Sequence, residues 1–140
     1  QCGKGHLERV QQAYAEAAFS YAVSEFVTDM QALYATHDLI VCRAVALTVA
    51  ETAAAGIPAI FVPLPSAVDD HQTKNARFME KCQACMVCPQ KDLSAESLAN
   101  IIDNLNYDRQ KLASMSQNAY AHAVLNAAEV AQDILINVCK

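Results

Sequence analysis

No apolar run in the 140 residues approaches the roughly 20 that a bilayer-spanning helix needs. A signal peptide is also missing, and the chain opens Gln1-Cys2-Gly3-Lys4-Gly5 without an initiating methionine. That opening reads as a segment beginning inside a longer protein. Basic residues are few, 10 against 15 acidic ones, and scattered, for a formal net charge of −5. A phosphate-tracking nucleic-acid surface is therefore not expected, and the acidic balance says little beyond solubility. There is no Walker-type loop and no Ser/His/Asp constellation. Nor is there an internal repeat, low-complexity tract or linker, so the pattern reads as one compact unit spanning 1–140. Without a secretory signal, the six cysteines (positions 2, 42, 82, 85, 88 and 139) read as reduced thiols rather than a disulfide frame.

The remaining residues suffice for a core, since 54% are apolar. Short β-rich runs at Tyr21–Val27, Asp38–Cys42, Ala59–Leu64 and Cys85–Cys88 alternate with helical stretches at His6–Ala18, Met30–Thr36, Leu47–Ala55 and Asp70–Ala84. Strands this short, without in/out alternation, are what a parallel sheet covered on both faces produces. The alternation predicts right-handed βαβ units and an α/β, doubly wound parallel sheet. Gly56 falls where a helix C-terminus favours a left-handed residue, and Pro58 blocks continuation. From about Ser94 the pattern is helical only: a capped helix from Ser94, then helices near Tyr107–His122 and Ala127–Val138. A strand and helix are expected to precede Gln1 in a parent protein, leaving a sheet edge that invites dimerisation by strand pairing.

Doubly wound sheets bind ligands at the carboxyl ends of their strands. Three loops leave those ends with suggestive residues. After Cys42 come Arg43, small residues and a helix start through Ala46, Leu47, Thr48 and Glu51, a plausible anion site for a diphosphate. Thr48 and Glu51 alternatively form a Thr-x-x-Glu capping box, and Arg43 a surface ion pair. After Leu64, the residues His71, Gln72 and Asn75 share one face of a first helical turn, with amides and imidazole suited to sugar hydroxyls. The alternative is Asp69 or Asp70 as an N-cap with solvated neighbours. Val27 to Met30 offers backbone polar groups and an apolar side chain for a flat base, or a capped helix start and nothing more.

Cys82-x-x-Cys85-x-x-Cys88 is spelled like an iron–sulfur or zinc run. A helix-to-strand change between Lys81 and Pro89 would point the thiols apart, and no fourth ligand lies nearby, Cys139 being far along the chain. They read as small buried side chains. His6, His37 and His122 stand alone as surface or core residues. Neither metal nor cofactor is expected.

At Glu25–Met30, Asp38–Glu51, Ala54–Pro63 and Asp70–Ala76 the sequence resembles the UDP-N-acetylglucosamine:lipid I N-acetylglucosaminyltransferases of peptidoglycan synthesis, a family with the GT-B fold of two doubly wound domains. The likeness covers nearly the whole chain and implies the C-terminal, Rossmann-like donor half. It implies that Val27 and Met30 hold uracil and that Glu51 bonds the ribose hydroxyls. Ala46, Leu47 and Thr48 would offer amides to the diphosphate beside Arg43, and Gln72, helped by His71 and Asn75, would read N-acetylglucosamine. The parent would pass that sugar from UDP-N-acetylglucosamine to the C4 hydroxyl of the muramyl sugar of lipid I, peripheral to the cytoplasmic face of the inner membrane. The acceptor domain and the catalytic base lie outside this chain, so the isolated chain should not turn over. Where the family usually has glycine, this chain has Val45. If that glycine takes a positive φ, Val45 weakens donor binding. Three rivals remain: the donor domain of a glycolipid synthase, a metal or redox module on the cysteine triplet, and a folded fragment that binds nothing.

Overall fold

The computed structural model describes residues 1–65 and 70–138, with the side chains of 137 and 138 left aside. Its contacts divide into two compact units, Gln1–Leu33 and Tyr34–Lys140.

In the first unit, α1 (Leu7–Tyr14) stops short of the expected Ala18. The chain turns just beyond it, with the Ala17 amide on the Tyr14 carbonyl at 2.9 Å. Tyr14 then meets Phe19 edge-on and Tyr21 at a tilt. The strand expected at Tyr21–Val27 does not form. Ser24 and Glu25 accept from the amides of Cys2 and Gly3 at 2.9 and 3.1 Å, but two bonds to a two-residue partner do not make a ladder. α2 (Met30–Thr36) follows as expected, with the Asp29 carboxylate accepting from the Ala32 amide at 2.8 Å; the division falls within it, and Tyr34 onward belongs to the second unit.

The second unit is the doubly wound sheet. Strands β1 (Ile40–Cys42), β2 (Ala59–Phe61) and β3 (Cys85–Val87) are parallel in that order, in the register Ile40↔Ala59↔Cys85. α3 (Ala46–Ala55) and α4 (His71–Lys81) make the crossovers. α5 (Ala95–Tyr107), α6 (Arg109–Ala121) and α7 (Ala127–Val138) complete it.

Period-2 alternation along β2 divides the core. Ala59 and Phe61 pack with Ala53 of α3 and with Ala76 and Met79 of α4. Ile60 points the other way, into Leu105 of α5 and Leu112 and Met115 of α6. A strand buried on both faces needs apolar residues at every position, and Ala-Ile-Phe supplies them. Burying Ile60 and Phe61 contributes about 1.5–3 kcal/mol each. β1 starts two residues later than the expected Asp38–Cys42 run and ends with it at Cys42, whereas β2 stops three residues short of Leu64. Beyond Phe61 only Val62 donates back, to the Cys42 carbonyl, because Pro63 has no N–H to continue the ladder.

Helix ends follow their local signals. Gly56 is left-handed (φ 63°) and closes α3, its amide and that of Ile57 returning to the last turn. A Cβ there would stand 3.5 Å from the Tyr120 Cβ, and the Ser116 hydroxyl donates to the Gly56 carbonyl at 2.6 Å, so the same turn docks α6. Ser94 and Ser97 form a reciprocal capping box on α5.

The cysteine triplet diverges, as a helix-to-strand change requires. Cys82 and Cys85 pack toward the α3/α4 side and Cys88 toward the α5/α6 side. Burial pushes the Cys85 thiol up to about 12 and the Cys42 thiol up to about 11, so both are neutral packing groups. Cys139 lies outside the described residues.

Candidate functional site

β1 and β2 are neighbours and parallel, so their carboxyl ends emerge side by side. Two hydrogen-bonded ties join the loops that leave them, and a third closes the β2–α4 segment on itself. Arg43 Nη1 donates to the Val62 carbonyl at 3.0 Å and to the Pro63 carbonyl at 3.4 Å. Asn75 Nδ2 donates to the carbonyl of Ala44, a residue with no exposed surface. The Leu64 amide donates to Gln72 Oε1 at 3.0 Å. The Arg43 loop and the Gln72–Asn75 turn therefore converge on one edge, as a shared ligand site requires.

α3 opens onto this edge. Its N-cap is Val45, with φ −66° and ψ 142° and no side-chain cap. That is ordinary extended backbone for a valine, so the strain expected from placing Val45 at a glycine position does not arise. Since no side chain caps the helix, the amides of Ala46, Leu47 and Thr48 meet no acceptor among the described residues. Three convergent N–H groups at the positive end of a helix dipole favour an anion. The exposed Val45 and Leu47 flank them.

Glu51 is half-buried in the second turn of α3. The helix starts at Ala46, so Thr48 rather than Glu51 occupies the third position, and a Thr48–Glu51 capping box cannot form. Instead Glu51 Oε2 accepts from the Tyr34 hydroxyl at 3.0 Å. Burial first, then the Glu51 carboxylate, pushes the Tyr34 phenol up to about 12. The phenol stays protonated and donates at any physiological pH.

α4 opens on exposed His71, with Asp70 left-handed (φ 56°) before it. The Asp70 side chain makes no cap bond, which removes the capping reading for that residue; Asp69 lies outside the described residues. Gln72 and Asn75 do not stand unengaged toward solvent, since each has one polar atom tied to a strand-tip loop. Gln72 Nε2 and Asn75 Oδ1 remain for a ligand. Val27 and Met30 belong to the Gln1–Leu33 unit, where the Val27 amide donates to Gln1 Oε1 at 3.3 Å and Met30 opens α2.

Tyr34 is the residue the sequence reading passed over. It lies inside a correctly expected helix, and no spacing rule links it to Glu51. Tyr34 also lines a groove of about 330 Å³ at the amino ends of the same strands, together with His37, Asp38, Pro58 and Arg109. Its charges, Asp38 and Arg109, pair with each other at 3.3 Å on the surface.

The model of the glycosyltransferase family 28 C-terminal domain matches residues 1–134. The chain belongs to that family. Similar curated proteins include two of the name UDP-N-acetylglucosamine--N-acetylmuramyl-(pentapeptide) pyrophosphoryl-undecaprenol N-acetylglucosamine transferase. The one from Aeromonas hydrophila is 50% identical over 133 residues, covering 95% of this chain and 37% of the relative. The one from Psychromonas ingrahamii is 45% identical over 129 residues, covering 92% and 36%. The crystal structure of Acinetobacter baumannii MurG superposes with a TM-score of 0.91 at 42% identity, covering 98% of this chain and 42% of that one. The chain thus spans well under half the length of these relatives. The doubly wound parallel sheet is the Rossmann-like fold of the family's C-terminal domain.

Proposed function

We propose that this chain is the donor-binding part of an inverting transferase that moves N-acetylglucosamine from UDP to lipid I, making lipid II. The observation that carries the reading is the run of open amides at Ala46, Leu47 and Thr48, one turn before Glu51 and tied through Arg43 to the β2 tip and through the Ala44 carbonyl to Asn75 of α4. A diphosphate satisfies the amides and the helix dipole together. The carboxylate of Glu51 accepts from ribose hydroxyls, and Gln72 Nε2, His71 and Asn75 Oδ1 complement the hydroxyls and acetamido group of the sugar. Val27 and Met30 are kept for uracil on the family resemblance.

The names of the relatives support the donor and the undecaprenyl acceptor. The acceptor site and the base that takes its proton are assigned to residues outside this chain, and the parent enzyme to the cytoplasmic face of the membrane. No helix among the described residues is long and apolar enough to cross a bilayer, which is compatible with peripheral attachment. Self-association through an unpaired sheet edge belongs to the same reading.

Isothermal titration of the chain with UDP-N-acetylglucosamine, UDP-glucose and UDP-galactose tests the assignment. Binding is expected with the acetamido sugar preferred. Equal affinities would transfer the chain to a glycolipid-type donor domain, and no binding would reject the donor reading.

A further inference from the structure

The Glu51 carboxylate sits on α3 and accepts a hydrogen bond from the Tyr34 hydroxyl of α2, 17 positions earlier in the chain. We propose that Tyr34 is a positioning residue for ribose recognition, its hydroxyl fixing Glu51 Oε2 so that Oε1 is left to accept from the ribose. This inference rests on the donor reading above and adds to it a residue that makes no contact with the ligand itself.

A glutamate side chain rotates about three bonds, and an unanchored one would have to be ordered by the ligand at an entropic cost to affinity. The contact with Tyr34 imposes that order in advance. The choice of donor matters as well. A lysine or arginine in the same place would neutralise the carboxylate and compete with the ribose for it. A phenol donates one hydrogen bond and carries no charge, so the second oxygen keeps its strength as an acceptor. Burial holds the Cys42 thiol neutral as well, so it brings no charge to the Tyr34–Glu51 pair. No cation is paired with Glu51 among the described residues.

The test compares UDP with 2′,3′-dideoxyuridine diphosphate, which lacks both hydroxyls that Glu51 would bond. Both are titrated into the chain and into the variants Tyr34→Phe, Glu51→Gln and the double variant. Tyr34→Phe removes a single oxygen from a half-buried ring. It is expected to weaken UDP about three- to tenfold while leaving the dideoxy analogue unchanged. Glu51→Gln should reduce the same preference more strongly, and adding Tyr34→Phe to it should change nothing further.

A merely structural phenol would weaken both nucleotides equally, and that outcome overturns the proposal. So does an unchanged UDP affinity in Tyr34→Phe when Glu51→Gln has lost it, in which case the donor reading stands and only the role of Tyr34 falls. If Glu51→Gln binds UDP as the parent does, the ribose assignment itself has failed and this inference fails with it.

Discussion

The first turns of α3 and α4 open on the same edge of the sheet, yet they hold their polar groups in opposite states. At α3 the backbone is open: three amides have no acceptor among the described residues, and the side chains around them are those of Val45, Ala46, Leu47 and Thr48. At α4 the polar side chains are already at work, Gln72 on the Leu64 amide and Asn75 on the Ala44 carbonyl. On the donor reading, recognition at α3 would be carried by the main chain, and Val45 stands at the N-cap in a backbone conformation ordinary for valine. At α4 it would be carried by side chains that also build the loop, so that reading couples binding to stability there. Substitutions in the two turns should separate along that line.

Arg43 is the brace between them, and removing it should have the largest effect. Arg43→Ala is expected to cost about 1–2 kcal/mol of stability in urea denaturation, a charged donor to two carbonyls being worth more than a neutral one but partly discounted by its exposure. UDP affinity should fall with it, because both tips lose their relative placement. A stability change below about 0.5 kcal/mol would show that the tips hold together without the guanidinium.

Glu51→Ala, on the α3 side, should weaken UDP about tenfold, roughly 1.4 kcal/mol. The melting temperature should hardly move, since one partly solvated hydrogen bond is lost and α3 gains a better helix former. A large drop in melting temperature with unchanged affinity would make Glu51 a structural residue and blur the contrast.

On the α4 side, Asn75→Ala should lower stability by about 1 kcal/mol, because the carbonyl of fully buried Ala44 loses its donor. It should also weaken UDP-N-acetylglucosamine severalfold. Gln72→Ala, followed by calorimetry with UDP and with the sugar nucleotide, should hurt only the latter. Equal losses for both ligands would assign Gln72 to loop building alone.

What the sequence made legible, and what it did not, divides along similar physical lines. Local signals were read correctly: Gly56 in its left-handed cap, Ser94 in its box, and Ala59–Phe61 as a strand apolar at every position. Each depends on residues a few positions apart. Neighbouring strand tips at Arg43 and Gln72 were also foreseeable, because parallel βαβ topology leaves little choice. The expected strand at Tyr21–Val27 failed because a strand requires a partner, and β-propensity does not supply one. The Thr48–Glu51 spacing suggested a capping box, but that box needs Thr48 as the N-cap, and the N-cap is Val45, three residues earlier. The engagement of Gln72, of Asn75 and above all of Glu51 with Tyr34 was invisible, because those partners lie 8, 31 and 17 positions away and no periodicity marks them.

The finest test of the contrast is at Val45, where stability and binding should move in opposite directions. Val45 is a poor N-cap in a suitable extended conformation (φ −66°, ψ 142°). In Val45→Ser the new hydroxyl can accept from the Leu47 or Thr48 amide and so satisfy a group the helix leaves open, which should stabilise the fold by about 0.5–1 kcal/mol. The same bond occupies a donor that the diphosphate would use, so UDP affinity should drop about two- to threefold. Val45→Gly, which adds no acceptor and relieves no strain, should change stability by only a few tenths of a kcal/mol. Any gain in affinity it brings reports the bulk of the valine alone. If Val45→Ser raises both melting temperature and affinity, the open amides of α3 are not where the diphosphate binds.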